Sequence, residues 1–193
     1  MEKRKKYVIE TIAIKRILDL IKNNTSVMAV GSSGCGKSTS IHYVALALHQ
    51  NHGYKVIHVY SPEEIRQYYN PECKQVIVFD DLCGKSTIDF NLVNNWSRLL
   101  SDITRILEDK NVKMLSSCRT HIYQDRTFKG MDFSSTIVCD LLSKEYRLTR
   151  VERQLIGQRY LSTGEMKKIE NTMEKFDFFL CYVSFILNIK LTK

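Results

Sequence analysis

Ser26-Val-Met-Ala-Val-Gly31-Ser-Ser-Gly-Cys-Gly36-Lys37-Ser38-Thr39 is the stretch from which the rest of the chain is read. Val27 to Val30 is an apolar run of strand length that breaks into a glycine-rich loop and resumes as a helical pattern. The spacing is that of a phosphate-binding loop: Gly, four residues, then Gly-Lys-Ser/Thr. Glycines take backbone angles closed to other residues, so successive N–H groups turn inward toward an anion. The helix that follows adds unpaired N–H groups and the positive end of its dipole. The reading therefore places a nucleoside triphosphate against Gly31, Ser32, Ser33, Gly34, Cys35, Gly36, Lys37, Ser38 and Thr39. Lys37 is expected on the β- and γ-phosphates and the Ser38 hydroxyl on Mg²⁺.

Outward from the loop, short apolar runs alternate with helical patterns. Val56 to Tyr60, Val76 to Phe79, Lys113 to Ser116 and Thr136 to Cys139 read as further strands. Val76-Ile-Val-Phe79 is apolar throughout, as a parallel strand covered on both faces should be. The spacing predicts helices over 7–22, from Lys37 to about Asn51, and along the Val93, Trp96, Leu100, Ile103, Leu107 stripe. Capping boxes are expected at Ser61-Pro-Glu-Glu64, Thr149-Arg-Val-Glu152 and Ser162-Thr-Gly-Glu165. After residue 142 the strand signals stop. The expected architecture is α/β, a three-layer P-loop NTPase with a five-stranded parallel sheet and a small helical lid. Its domains are a core over 1–142, including the N-terminal helix, and a truncated lid over 143–193.

Composition narrows the class. The chain has 193 residues, 44% hydrophobic and 26% charged, which excludes disordered and fibrous proteins. Its net charge of +8 is spread over both halves rather than pooled, so nucleic acid is not an expected partner. Six cysteines without a Cys-x-x-Cys pair, behind a charged N-terminus, read as reduced thiols in a cytoplasmic protein. The apolar run Phe178 to Ile189 falls short of the ~20 residues that span a bilayer. No membrane span is expected; this segment is read as a helix packing on the lid, as the start of a further domain, or as a surface for self-association or a partner protein.

Hydrolysis requires Mg²⁺ held from a second side and a water made nucleophilic. Asp80 leaves a buried strand where a carboxylate can hold the metal through a water, and Asp81 beside it can orient or deprotonate the attacking water. The plainer alternative is that the pair ends a strand and caps a turn. Arg119 closes the next strand at the edge where parallel sheets bind ligands. Its guanidinium either meets the γ-phosphate or makes a surface ion pair. Cys83-Gly-Lys-Ser-Thr87 repeats Cys35-Gly-Lys-Ser-Thr39 letter for letter, but Phe79 stands where the first glycine should be, so Lys85 reads as a loop residue. Cys35 is either an ordinary variable loop position or a thiol whose pKa the loop amides lower.

Several stretches together carry a resemblance: Tyr7-Val-Ile-Glu-Thr11, Gly31 to Ser38, Val76-Ile-Val-Phe-Asp-Asp-Leu-Cys-Gly-Lys85, Leu115-Ser-Ser-Cys-Arg119, and Leu148-Thr-Arg-Val-Glu152 with Phe176-Asp-Phe-Phe179. With them the chain resembles the STAND NTPases, signal-transduction ATPases with numerous domains, and most of all their novel subgroup three from innate-immunity-type proteins of animals. The resemblance implies an ATP/ADP- and Mg²⁺-dependent signalling switch that opens with ATP and resets by slow hydrolysis. It implies that Arg119 senses the γ-phosphate, and that Tyr7, Val8 and Thr11 form the adenine end of the pocket. It also implies effector modules and repeats that these residues do not contain, so the chain reads as a fragment, a truncated product or an NTPase acting in trans. Where the family pattern has a proline after Phe-Asp-Phe-Phe, this chain has Leu180-Cys-Tyr. Two other readings are a non-catalytic nucleotide-binding interaction module and a small-molecule kinase using Arg150, Arg153 and Arg159.

Overall fold

Val27 and Ala29 point to one side of their strand, Met28 and Val30 to the other, and both sides are buried. A strand without a polar face needs a helical layer on each side. That is the architecture of the computed structural model, which describes residues 8–169 together with Phe179 and Val183. Strands β1 (Ser26–Gly31), β2 (Lys55–Val59), β3 (Gln75–Phe79), β4 (Val112–Arg119) and β5 (Thr136–Asp140) form one five-stranded sheet in the order β2-β3-β4-β1-β5. Every pairing is parallel. The register sets Gly31 beside Arg119 and Phe79 beside Ser116, so β4 lies between the end of β1 and the end of β3.

Helices α1 (Ile12–Asn23) and α2 (Lys37–His52) cover one face, where Ile14, Ile17, Ile41 and Val44 meet Val27, Ala29, Val78 and Leu115. Helices α3 (Pro62–Tyr68) and α4 (Phe90–Leu107) cover the other with Ile65, Val93, Trp96 and Ile103. Two short helices, α5 (Thr120–Tyr123) and α6 (Arg126–Lys129), follow β4 and add Ile122 and Phe128 to that second core. Beyond β5, α7 (Arg150–Tyr160) and α8 (Thr163–Ile169) build the helical lid around Ile156, Leu161, Ile169, Phe179 and Val183. Apart from Phe179 and Val183, the apolar segment expected to pack on the lid or recruit a partner lies outside the described residues. Among the described residues no helix is long and apolar enough to cross a membrane.

Local chemistry moves several boundaries. The helix before the phosphate loop begins at Ile12, because Thr11 stays extended (φ −81°, ψ 165°) and its hydroxyl caps the Ile14 N–H. At its far end α2 stops on Gly53, whose left-handed φ of 73° ends the helix. The Ser61 box does not form. Ser61 makes no side-chain cap, and Glu64 accepts instead from the Tyr60 N–H at 2.8 Å. The box at Thr149 is complete: the Thr149 oxygen accepts from the Glu152 N–H, and Glu152 Oε2 accepts from the Thr149 N–H. At Ser162 the glutamate half is present, Glu165 Oε2 accepting from the Ser162 N–H at 2.8 Å.

Glu152 also reaches across the fold. Its Oε1 accepts from the Ile12 N–H at 2.5 Å, so one buried carboxylate serves the first turns of both α7 and α1. Both ends carry orphan N–H groups and positive partial charge, which is what a carboxylate stabilises. The lid is thereby fastened to the helix that precedes the phosphate loop.

Candidate functional site

The loop between β1 and α2 is shaped by its glycines. Gly34 and Gly36 take φ of 72° and 101°, and a Cβ on Gly31 would lie 2.5 Å from Cys35 Sγ. Lys37 is buried at the first turn of α2, and its Nζ donates to the Ser32 carbonyl at 2.8 Å. Ser32 Oγ is buried without a hydrogen-bond partner. A buried hydroxyl left unpaired in a cradle of amides is what a site for phosphate oxygens requires. Ser33, Ser38 and Thr39 are exposed on the same loop and first turn.

Of the two readings of Cys35, the ordinary loop position is the one the structure favours. Burial pushes its thiol above the ordinary value, outweighing the charge of Lys37 and the backbone hydrogen bonds that pull it down. The loop amides do not make this thiol reactive.

The two aspartates follow β3, and β4 holds them in place. Ser117 Oγ donates to Asp80 Oδ1 at 2.7 Å and accepts from the Asp81 N–H at 2.9 Å. Asp81 sits in the left-handed region (φ 51°), which aspartate tolerates better than most residues. Arg119, two residues beyond Ser117 on the same side of β4, donates from Nε to Asp81 Oδ1 at 3.3 Å. In this structure both groups are largely sheltered and engaged with each other.

Asp80 has a second neighbour. His42, one turn beyond Ser38 on α2, brings Nε2 to 2.8 Å from Asp80 Oδ2, a short contact bent away from the N–H direction. Burial would raise the Asp80 pKa, but the adjacent His42 imidazole and the Ser117 and Ser38 hydroxyls outweigh it and hold the carboxyl at about 2. This folded value lies below the ~3.9 of a free aspartate. Ionised Asp80 therefore stabilises the fold fully above about pH 4, and that stabilisation is lost as pH falls through about 2. Its size is roughly 1–2 kcal/mol after allowance for partial exposure. Urea unfolding of the wild type and of Asp80→Asn between pH 6 and pH 2.5 checks this. The stability gap should narrow by roughly two thirds of that amount at pH 2.5, the rest being lost only below the folded pKa.

A cavity of about 250 Å³ opens beside the loop. Val8, Thr11, Cys35, Leu141, Tyr160 and Val183 are among the residues that line it, bringing together the segment before α1, the phosphate loop and the lid. Of the three residues expected at the adenine end, Val8 and Thr11 face this cavity. Tyr7 lies outside the described residues. The Thr11 hydroxyl is already used as the cap of α1, leaving its methyl and backbone to face the space. Arg153 turns into the lid, donating from Nε to the Leu148 carbonyl at 3.2 Å and lying over the Phe179 ring.

The second Cys-Gly-Lys-Ser-Thr copy is a tight turn rather than a cradle. Cys83 and Gly84 take φ of 61° and 134°, Cys83 is fully buried and Lys85 is exposed. A Cβ on Gly84 would lie 2.2 Å from the Thr87 carbonyl oxygen, so this glycine is required by its own turn. Burial raises the Cys83 and Cys118 thiols to about 12, and the described cysteines are all free.

Two residues at the site escape a motif reading, Ser117 and His42. Spacing offered a signal for both. Ser38 and His42 are four apart on one helix face, and Ser117 and Arg119 are two apart on one strand.

No curated protein matches the sequence significantly. Among solved structures, domain III of the Thermotoga maritima replication initiation protein DnaA superposes with a TM-score of 0.54 at 14% identity, covering 86% of this chain and 73% of that one. AMPPCP-bound DnaA from Aquifex aeolicus gives 0.57 at 14% identity, over 90% and 58%. The Aeropyrum pernix ORC1 protein in complex with DNA gives 0.53 at 12% identity, over 90% and 58%. The chain thus spans little more than half of the latter two, and at such identities the likeness is one of fold. The profile of the family described as Novel STAND NTPase 3 matches residues 8–163. The chain belongs to that family and is a STAND-class P-loop NTPase.

Proposed function

We propose that this domain binds ATP with Mg²⁺ and hydrolyses it slowly to ADP and phosphate, as a nucleotide-dependent signalling switch. The observation that carries the reading is the convergence of three groups at the ends of adjacent strands. They are the phosphate loop after β1, the Asp80–Asp81 pair after β3, and Ser117 with Arg119 on β4 between them. The donor set suits a hard cation, because the Ser38 hydroxyl and the Asp80 carboxylate both present oxygen and lie close enough for Ser38 to lower the carboxyl's pKa. Bound there, Mg²⁺ supplies charge neutralisation of the phosphates.

The chain's own residues do the rest. Loop N–H groups, the Ser32 hydroxyl and Lys37 take the phosphate oxygens, with Lys37 leaving the Ser32 carbonyl to do so. The base enters the apolar cavity between residues 8–11 and the lid. Asp81 orients the attacking water and receives its proton. Arg119 moves from Asp81 to the γ-phosphate, which releases Asp81 for that task when triphosphate is present. The boundary between core and lid is placed near residue 142. The Asp81–Arg119 pair also supports a second reading, a nucleotide-binding interaction module with negligible turnover, because the proposed base is occupied by an ion pair.

Phosphate release measured beside nucleotide titration separates the two. The wild type should release phosphate only with Mg²⁺. Asp81→Asn should lose about 100-fold in turnover, within the range for removing a general base, while still binding ATP. Turnover that survives Asp81→Asn unchanged removes Asp81 from the assignment; no wild-type turnover despite tight ATP binding favours the interaction module.

A further inference from the structure

Asp80 is gripped from two directions. Ser117 holds Oδ1 at 2.7 Å from β4, and His42 meets Oδ2 at 2.8 Å from α2. A carboxylate anchored at one oxygen can still rotate about its Cβ–Cγ bond, which is a soft torsion with a broad minimum. A second anchor on the other oxygen, from a different element, fixes the plane. The anchor is itself held, because the His58 ring on β2 packs edge-on against His42 with centroids 5.1 Å apart and planes at 83°. The placement also ties the two sides of the site together. His42 lies four residues after Ser38, so one face of α2 presents both the hydroxyl and the imidazole to the same carboxylate.

We propose that His42 is a positioning residue for magnesium, fixing the plane of the Asp80 carboxylate so that its free acceptor sites face the cation's shell beside Ser38. This rests on the reading of Asp80 as the metal-side carboxylate. A carboxylate offers about four acceptor sites, and Ser117 and His42 do not exhaust them. Partners that orient a ligating group in this way commonly matter 10- to 100-fold for metal affinity.

The test measures the affinity of the full chain for a fluorescent non-hydrolysable ATP analogue, with and without Mg²⁺. The readout is the Mg²⁺-dependent gain in affinity. In His42→Ala this gain should fall about 10-fold while Mg²⁺-free affinity stays unchanged. His42→Gln, whose amide nitrogen can occupy the Nε2 position, should recover most of it. His42→Leu keeps bulk against His58 but removes the donor, and it should behave as His42→Ala does, including where the alanine variant does not fold. A full Mg²⁺-dependent gain in His42→Leu overturns the proposal, as does a glutamine variant no better than leucine. Asp80→Asn separates the two levels. If it also keeps the full gain, the metal-side reading of Asp80 fails; if it alone loses the gain, only the role of His42 fails.

Discussion

Lys37→Ala should bind ATP close to 1000-fold more weakly than the wild type, about 4 kcal/mol, with its fold retained. Lys37 is a cation with only 5% of its surface exposed, at the mouth of a loop whose other donors are neutral amides and hydroxyls. Around buried, hydrogen-bonded charges, losing one partner costs several kcal/mol, because the remaining charge keeps its desolvation penalty without compensation. Here the remaining charge is the phosphate. In the empty protein the loss is smaller. The Ser32 carbonyl gives up one charge-assisted hydrogen bond, about 2 kcal/mol, on a loop that water can reach. Isothermal titration with ATP beside a thermal melt distinguishes the two effects. An alanine variant within 10-fold of wild-type affinity would show that the lysine does not meet phosphate.

Trp96→Ala should cost about 3–5 kcal/mol of stability, a large part of the ~5–15 kcal/mol a domain possesses. Trp96 is fully buried on α4, 5.3 Å from the Phe79 ring and 5.6 Å from that of Phe133. Phe79 directly precedes Asp80, so this packing also backs the end of β3 on which the candidate metal site stands. At roughly 2–4 °C per kcal/mol for a chain of this size, the melting temperature should drop by about 10 °C or more. Trp96→Phe is the informative control. The indole N–H is buried without a partner, so removing it relieves an unmet polar group while most of the ring contact is kept. The phenylalanine variant should lose about 1–2 kcal/mol, because it removes one of the two fused rings rather than the whole side chain. Equal losses in both variants would mean that the indole N–H, not the ring area, is what the core needs.

What could be read ahead of the fold follows how local each feature is. The phosphate loop is a contiguous backbone conformation, written in glycines at fixed spacing, and it lies where that spacing puts it. The core strands were equally legible, because parallel strands covered on both faces carry unbroken apolar runs. Helix starts were less so. A capping box depends on rotamers as well as residue types, and Ser61 with Glu64 had the types without forming the bonds, whereas Thr149 with Glu152 formed them.

The site is different in kind, because its contacts cross elements. Asp80 and Ser117 approach only since β3 pairs with β4, and His42 reaches Asp80 only since α2 packs over the sheet. Glu152 illustrates the same limit. Its capping box is local and was readable, but its bond to the Ile12 N–H spans the length of the core. By itself the sequence determined the class of fold, the phosphate loop and the candidate residues along each strand end. The tertiary structure alone decided that Asp81 faces Arg119, that burial raises rather than lowers the Cys35 thiol pKa, and that His42 lies against Asp80. The physical reason is that backbone conformation follows from neighbours along the chain. The partners and pKa of a charged group follow from what folding brings within a few ångströms of it.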